Sequence, residues 1–365
     1  MGSRSTMNAL VFYGPYDVRL EKRPSEPTRW PMTNFPTIQN PTDVILKTTS
    51  AAFELHAYRG HAKPSPGYIT GHEGAGIVDQ VGVDVKKFKK GDYVVVPFTA
   101  TCGHCYFCTH GFSSRCSNGE LFGSPQLDGS QAEYFRVPMA DTTLSLAPTE
   151  LGEELILMAD IFPTGFNGAR NAFSATPKEQ WSEMVVVVVG CGPVALCSII
   201  AALDYKPARL YAVDSVPERL ARAEKIGAIP LNFKTTDIKA EILKATDGRG
   251  ADAVIEVVGH PDALRTAYDV IREFGKISVV GLHTKDIPFS GSEAYNKNVH
   301  IQFGRCPVRS VFDDAFKSLI KNREKVQSFV DVIVPSLDDS FSDALKRFEK
   351  NEVFKVVYKP NGLNP

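Results

Sequence analysis

The middle of the chain places a strand, a glycine turn and a helix in immediate succession. Met184–Val189 is an apolar run made almost entirely of valine, and Gly190-Cys191-Gly192-Pro193-Val194-Ala195 follows it directly. A continuous β-branched run is typical of a strand buried on both faces of a parallel sheet. The glycines let backbone N–H groups approach a pyrophosphate at the positive end of the next helix. The dinucleotide contacts predicted in this turn are Gly190, Gly192, Pro193 and Val194.

An acidic residue follows at the position where a bound dinucleotide needs one. The next predicted strand, Leu210–Val213, ends in Asp214. A carboxylate at a strand end can accept hydrogen bonds from the adenosine ribose hydroxyls, and it would repel a 2′-phosphate. The sequence therefore favours NAD(H). Arg219 and Arg222 lie further along the following helix and keep NADP(H) open as an alternative.

Strand and helix signals continue to alternate after this point. The alternation predicts an α/β unit with a doubly wound parallel sheet of the Rossmann type. Further strands are predicted at Ala253–Val258, Lys276–Leu282 and Val299–Phe303, with helices that begin near Pro217, Asp237 and Pro261.

Four cysteines in one short stretch predict a metal site. Cys102, Cys105, Cys108 and Cys116 are separated by two, two and seven residues. Thiolates at such spacings can close a tetrahedron around one zinc ion. A site closed by four thiolates keeps no open position for a substrate, so the predicted role of this zinc is structural.

Composition narrows the class of protein and of partner. The formal net charge of −1 over 365 residues gives no bulk attraction to nucleic acid or to a membrane, and the predicted partner is a small molecule. The other three cysteines show no pairing pattern, which favours a reducing compartment. No apolar stretch is long enough to span a bilayer, and a cytoplasmic location is predicted. The length suggests two domains.

The part before the alternating unit has a different character. Short β-rich runs such as Asp43–Thr48, Gly76–Val81 and Asp92–Pro97 are punctuated by Gly, Pro, Asn and Asp from Asn8 to about Leu146. Such runs predict an irregular β domain.

Several motifs taken together resemble the zinc-type alcohol dehydrogenases of the medium-chain dehydrogenase/reductase family, over almost the whole chain. The motifs are Gly71-His72-Glu73-Gly74-Ala75-Gly76, Gly82, Lys90-Gly91-Asp92, the four cysteines and the turn from Gly190 to Asp214. The resemblance implies a GroES-like irregular β-barrel catalytic domain over 1–163 and 307–365, with a structural-zinc lobe near 98–120. It also implies a Rossmann NAD(P)-binding domain over 164–306.

The same resemblance implies further cofactor contacts and an oligomeric assembly. It implies cofactor contacts at Gly281 and His283, which follow a sheet strand, and at Lys355 near the pyrophosphate. It further implies homodimers, or tetramers, formed by pairing the strand near Val299–Phe303.

The chain departs from the family at the catalytic zinc. Ala51 stands where the family has its first ligand, a cysteine, and Phe53 stands where a hydroxyl would contact the substrate alcohol. Neither alanine nor phenylalanine offers a side-chain donor or acceptor. Asp160, in a segment similar to that of formaldehyde dehydrogenase-like members, replaces the later cysteine. His56 matches a proton-relay histidine and stays open between that role and a contact to the ribose.

The remaining groups leave two states of this site open. His72 and Asp160 could hold zinc weakly, with Glu73 as a third ligand and Glu54 as a nearby carboxylate. Since a soft thiolate donor is missing, the sequence favours an empty catalytic site with the structural zinc retained.

The predicted function follows from an empty catalytic zinc site. The prediction is an NADH-dependent reductase in which Phe53 lines the pocket for a conjugated carbonyl or iminium, substrates that need less help from a Lewis acid. One alternative is a zinc-dependent alcohol or aldehyde dehydrogenase with the metal held by His72, Asp160 and Glu73. Another is a non-redox cyclase or isomerase that uses Glu54, His56 or Asp160 for acid–base chemistry.

Overall fold

The computed structural model describes residues 6–24, 35–52, 55, 58–60, 64–148, 151–338 and 340–362. The chain divides into two compact units. The first unit comprises Met1–Asp160, Pro307–Phe312 and Val326–Pro365, and the second comprises Ile161–Cys306 and Asp313–Lys325.

Strands occur in both units. In chain order they are β1 (Thr6–Gly14), β2 (Asp17–Pro24), β3 (Val44–Ala52), β4 (Glu73–Val81), β5 (Tyr93–Val96), β6 (Thr99–Ala100), β7 (Glu120–Leu121), β8 (Tyr134–Val137), β9 (Ser145–Leu146), β10 (Val185–Val189), β11 (Arg209–Asp214), β12 (Ile229–Asn232), β13 (Ala251–Glu256), β14 (Ile271–Val279), β15 (His300–Phe303), β16 (Val332–Val334) and β17 (Val356–Tyr358).

Helices are concentrated in the second unit. They are α1 (Tyr106–Thr109), α2 (Ala140–Thr143), α3 (Ile161–Phe173), α4 (Pro193–Leu203), α5 (Pro217–Lys225), α6 (Ile238–Ala245), α7 (Pro261–Val270), α8 (Gly291–Lys297), α9 (Val308–Lys321), α10 (Arg323–Val326) and α11 (Phe341–Glu349). Short 3₁₀ turns span Ser113–Arg115, Glu153–Ala159, Lys178–Glu183 and Gln327–Phe329. Among the described residues, no helix combines the length and the apolar character that crossing a membrane requires.

The second unit is a doubly wound sheet, as predicted. Its six strands are all parallel and lie in the order β12-β11-β10-β13-β14-β15. Numbered within this sheet, the order is 3-2-1-4-5-6, which is the Rossmann arrangement. All five valines of β10 are buried, because strands lie on both sides of β10 and helices cover such a sheet.

Three strands of this sheet depart from the prediction by more than one residue. β14 spans Ile271–Val279, whereas Lys276–Leu282 was predicted. β12 was not predicted; it is a short strand at the edge of the sheet and contains Pro230, which an edge strand tolerates. β13 ends at Glu256 instead of Val258. The carboxylate of Glu256 accepts hydrogen bonds from the N–H groups of Val258 and Gly259, and this turns the chain away from the ladder.

The first unit is built around a mainly antiparallel sheet, in which β16 and β17 pair in parallel. Its main path runs β16-β17-β3-β4-β5-β9, and β8 also pairs with β3. The predicted strands at 43–48, 76–81 and 92–97 fall on β3, β4 and β5. β3 is flanked by β4, β8 and β17, so a strand from near the end of the sequence lies beside Ala51 and Ala52.

The division into units differs from the predicted domain bounds in one segment. The prediction assigns 307–365 entirely to the first domain, whereas Asp313–Lys325 belongs to the second unit. Ser318, Lys321 and Asn322 in this segment all hydrogen bond to the carboxylate of Asp204, directly after α4. These bonds hold the segment against the second unit.

Candidate active site and metal centres

Four cysteine thiols come together in a lobe of the first unit. Cys102 follows β6, Cys105 and Cys108 lie at the start of α1 and within it, and Cys116 follows a 3₁₀ turn. The four Sγ atoms all lie within 4.8 Å of one another. The Sγ atom of Cys116 is 3.5 Å from that of Cys102 and 3.9 Å from that of Cys105.

These distances fit a tetrahedral zinc site. A Zn–S bond of about 2.3 Å implies S···S edges of about 3.8 Å, and the two measured distances lie on either side of that value. Backbone N–H groups of Ser117 and then Cys108 lower the pKa of the Cys105 thiol to about 6. The backbone thus favours the thiolate form at Cys105, whereas burial raises the pKa of Cys108 and of Cys116 in the absence of metal.

A second group of possible ligands lies at the start of β4. The Nε2 atom of His72 is 3.0 Å from Oδ2 of Asp160, which follows the Glu153–Ala159 turn. One ligand atom each from His72, Glu73 and Asp160 falls within a 4.8 Å cluster. The structure therefore brings these three groups together, although His72 and Asp160 are 88 positions apart in the sequence.

Glu73 is the buried member of this group. Its Oε1 atom is 2.5 Å from Nζ of Lys355, and both side chains are at most 3% exposed. Its Oε2 atom is buried without a hydrogen-bond partner among the described residues. Burial raises the pKa of Glu73, and the charge of Lys355 opposes that rise. Lys355, predicted to contact the cofactor, thus has Glu73 as its partner within the first unit.

The residue that replaces the expected thiolate lies beside these groups. Ala51 is fully buried in β3 and pairs with Gly74 of β4 and Tyr358 of β17. Among the described residues, the possible metal ligands near the start of β4 are one imidazole and two carboxylates, a harder set than the two cysteines and one histidine of zinc alcohol dehydrogenases. Such a set fits zinc weakly.

Three of the predicted catalytic residues, Phe53, Glu54 and His56, lie outside the described residues. Their predicted roles stay predictions from the sequence.

The glycine turn has the backbone that a phosphate-binding turn needs. Gly190 directly follows β10 and has a φ of +100°, a conformation that favours glycine. Gly192 caps the N-terminus of α4 and Pro193 occupies its first turn. A Cβ atom added at Gly192 would meet no atom within 4 Å. The N-terminus of α4 is therefore open to an anionic group.

Asp214 is fixed at the carboxyl end of β11. Its Oδ2 atom accepts the N–H of Cys191 at 2.8 Å, and Oδ1 accepts those of Ser215 and Val216 at 2.7 and 3.0 Å. The sequence placed Arg219 further along the helix, but its Nη1 atom lies 3.9 Å from Asp214 Oδ2. One turn of α5 brings this cation back towards the strand end.

The loops after β13 and β14 meet closely. A Cβ atom at Gly281 would lie 2.2 Å from the N atom of Gly259 and 2.7 Å from Oε2 of Glu256. The Nε2 atom of His283 is 2.9 Å from the same oxygen. Glu256 was not predicted from the sequence, although an acid at the end of a parallel strand is the same signal that identified Asp214.

Both parts of the chain match families of known dehydrogenases. Residues 40–148 match the family model for the alcohol dehydrogenase GroES-like domain, and residues 193–322 match that for the zinc-binding dehydrogenases. The zinc-type alcohol dehydrogenase B of Aspergillus flavus is 46% identical, covering 98% of this chain and 82% of the relative. The medium chain reductase/dehydrogenase ucsI of Acremonium sp. is 48% identical, covering 80% and 99%.

A solved structure agrees with these relatives. The alcohol dehydrogenase TADH from Thermus sp. ATN1 superimposes with a TM-score of 0.86 at 29% identity, covering 97% of this chain and 100% of that one. The predicted GroES-like and Rossmann fold is thereby confirmed. The chain belongs to the zinc-type alcohol dehydrogenase branch of the medium-chain dehydrogenase/reductase family, and is an oxidoreductase of small molecules.

Proposed function

We propose that this protein is an NADH-dependent reductase that delivers hydride to a conjugated carbonyl or an iminium without a catalytic zinc. The observation that carries the proposal is the buried Ala51, which leaves the site at the start of β4 without a thiolate. Enals, enones and iminium ions are already polarised, so they need less stabilisation from a Lewis acid than a simple alcohol does. The name of the Acremonium relative, a reductase/dehydrogenase, fits hydride transfer in either direction.

The cofactor preference rests on Asp214. Its carboxylate stands at the end of β11, where a ribose hydroxyl could donate to it and a 2′-phosphate would be repelled. Arg219 is near enough to screen part of that repulsion. We therefore expect NADH to bind more tightly than NADPH, with NADPH still accepted.

The chain's own residues supply binding and orientation. Gly190 and Gly192 leave the N-terminus of α4 open for the pyrophosphate. The hydride comes from NADH when that cofactor is bound. Asp160 orients the imidazole of His72, and the ring of Phe98 lies 5.9 Å from that imidazole by ring centroids. These groups provide an aromatic and hydrogen-bonding surface in the first unit.

The domain roles follow from the units. We assign substrate chemistry to the first unit, which includes the zinc lobe near 98–120, and cofactor binding to the second unit, which includes Asp313–Lys325. We also propose a homodimer, or a tetramer, through β15. This strand is at the edge of its sheet, and Phe303 is 44% exposed.

None of the seven cysteines forms a disulfide. Seven cysteines without a disulfide support a reducing compartment, and we propose the cytoplasm.

The Ala51→Cys variant tests the proposal. Wild-type protein never exposed to added metal should contain one zinc per chain and should oxidise NADH with a conjugated enal but not reduce NAD⁺ with a simple alcohol. The variant should gain up to a second zinc and some alcohol oxidation, because a soft ligand is restored beside His72. Ala52→Cys, at the neighbouring position of β3, is the matched control and should gain neither.

A second candidate function rests on one atom of Glu73. The Oε2 atom of Glu73 is buried without a hydrogen-bond partner among the described residues, and a metal would satisfy it. His72, Glu73 and Asp160 would then hold zinc, which supplies Lewis-acid polarisation of an alcohol or aldehyde oxygen. Two zinc ions per wild-type chain, with one lost in Glu73→Gln, would establish this candidate and refute the zinc-free reductase.

A further inference from the structure

Glu256 is buried at the carboxyl end of β13, and the chemistry proposed above does not use it. Its side chain is 0% exposed. The Oε1 atom accepts the N–H groups of Val258 and Gly259, both at 2.8 Å. The Oε2 atom lies 2.9 Å from Nε2 of His283. One carboxylate thus fixes both the loop after β13 and a side chain from the loop after β14.

This pairing decides where His283 carries its proton. An ionised carboxylate only accepts hydrogen bonds, so Nε2 of His283 has to be the donor. In the neutral ring Nδ1 is then an acceptor. Among the described residues the hydrogen bonding of His283 is through Nε2 alone, and its other contact is edge-to-face with Phe303 at 6.0 Å between ring centroids. The acceptor on Nδ1 remains unused.

The sheet topology assigns this pair to one half of a dinucleotide. The order of the strands reverses between β10 and β13, and dinucleotides bind across that point, outside the carboxyl ends of the strands. The glycine turn and Asp214 belong to the half formed by β10, β11 and β12, which takes the adenosine. Glu256 and His283 follow β13 and β14 in the other half, which takes the nicotinamide nucleoside.

We propose that Glu256 is a positioning residue for the cofactor. It holds His283 with the proton on Nε2, so that Nδ1 accepts a hydrogen bond from an N–H or O–H donor of the nicotinamide nucleoside. The inference rests on the proposed binding of NADH. It extends that proposal because it predicts that Glu256, without touching the cofactor, affects the binding of the nicotinamide half and not of the adenosine half.

The variant Glu256→Gln tests the proposal with almost no change of shape. The amide oxygen can still accept from Val258 and Gly259, but the amide NH₂ now points a donor at His283. Nε2 must then accept, the proton moves to Nδ1, and the acceptor is lost. We expect calorimetry to show NADH binding weakened about tenfold in Glu256→Gln and in His283→Phe, the typical effect of one hydrogen bond.

The control ligand is ADP-ribose, which lacks the nicotinamide. Its affinity should change less than about twofold in both variants, and the double variant should bind NADH no more weakly than either single one. His300→Gln, an exposed histidine on β15, should leave both affinities unchanged. Nitrogen-15 NMR of the imidazoles should show the Nε2–H form of His283 in wild-type protein.

These binding experiments distinguish a failure of the proposed function from a failure of the role proposed for Glu256. Wild-type protein that binds neither NADH nor ADP-ribose would overturn the proposed function and this inference with it. Wild-type protein that binds both, with variants that weaken both ligands equally or neither, would overturn the inference alone. If Glu256→Gln does not fold, His283→Phe and the NMR spectrum decide, since an Nδ1–H form in wild-type protein would refute the proposal.

Discussion

At the scale of single residues, acids that are fully or partly buried in this chain differ in what balances their charge. Glu73 has the ammonium of Lys355, and Glu256 has two N–H groups and an imidazole. Asp128 has less compensation: Oδ1 accepts the N–H of Ile69 at 2.8 Å, and burial raises its pKa to about 7 despite that bond and the nearby charge of Arg23. Its protonation should therefore affect stability near neutral pH.

The pH dependence of stability gives a prediction for Asp128. The folded carboxyl keeps its proton up to about pH 7, whereas the unfolded one loses it near pH 4. The folded state binds more protons over that interval, so this group lowers the free energy of unfolding as the pH rises from 4 to 7, with no further change above. Asp128→Asn should remove this term, which is about 4 kcal/mol for a difference of about three pH units, and should be more stable than wild type at pH 8 by up to that amount.

Urea denaturation at pH 5 and pH 8 measures this effect, and the difference between wild type and variant cancels the other titrating groups. Asp286→Asn, an exposed position, is the control. An equal stability difference for Asp128→Asn at both pH values would show that the carboxyl does not titrate in this range.

At the scale of elements, the cysteine lobe has little core of its own. α1 buries none of its four residues, and the Ser113–Arg115 turn buries only Ser113. Tyr106 is 63% exposed and Phe112 is 55% exposed. Burial of apolar surface therefore cannot hold these turns, and we expect the metal to do so.

Cys116→Ser tests this dependence on metal. It should lose the zinc and the hydrogen-exchange protection of residues 102–121, while protection in the second unit stays unchanged. His110→Ala, an exposed change in the same lobe, should keep both. Retained protection in zinc-free Cys116→Ser would mean that the hydrogen bonds of the lobe suffice without metal.

The elements also show what the sequence could predict. β10 and α4 were predicted because a valine run and a glycine turn are local signals. β12 was missed because its stability comes from pairing with β11 and not from its own residues. The predicted metal ligands near β4 came from family motifs, but the ion pair of Glu73 with Lys355 joins residues 282 positions apart. No local pattern predicts such a contact, nor the approach of Arg219 to Asp214.

At the scale of the whole molecule, two sheets present an edge strand with an exposed apolar side chain. Phe303 of β15 is 44% exposed, and Ile333 of β16 is 45% exposed. Edge strands are templates for pairing with another chain, and a charged residue on the edge opposes such pairing. The two positions therefore form a matched pair for testing which edge strand pairs with a second copy of the chain.

Phe303→Lys should convert the proposed dimer to monomer, because it places a charge in the expected strand pairing. Ile333→Lys should leave the assembly intact. Light scattering coupled to size exclusion measures the mass of each. A wild-type monomer, or a dimer lost only in Ile333→Lys, would contradict assembly through β15.

The pairing of β17 with β3 has a consequence for synthesis on the ribosome. Tyr358 lies against Ala51, and Lys355 neutralises Glu73, so the sheet of the first unit gains a central neighbour from near the end of the sequence. The second unit has received all its strands by Phe303. We therefore expect the Rossmann sheet to fold while the chain is still growing. We expect the first unit to complete its folding only after Lys355, the cation that pairs with the buried Glu73, has been synthesised.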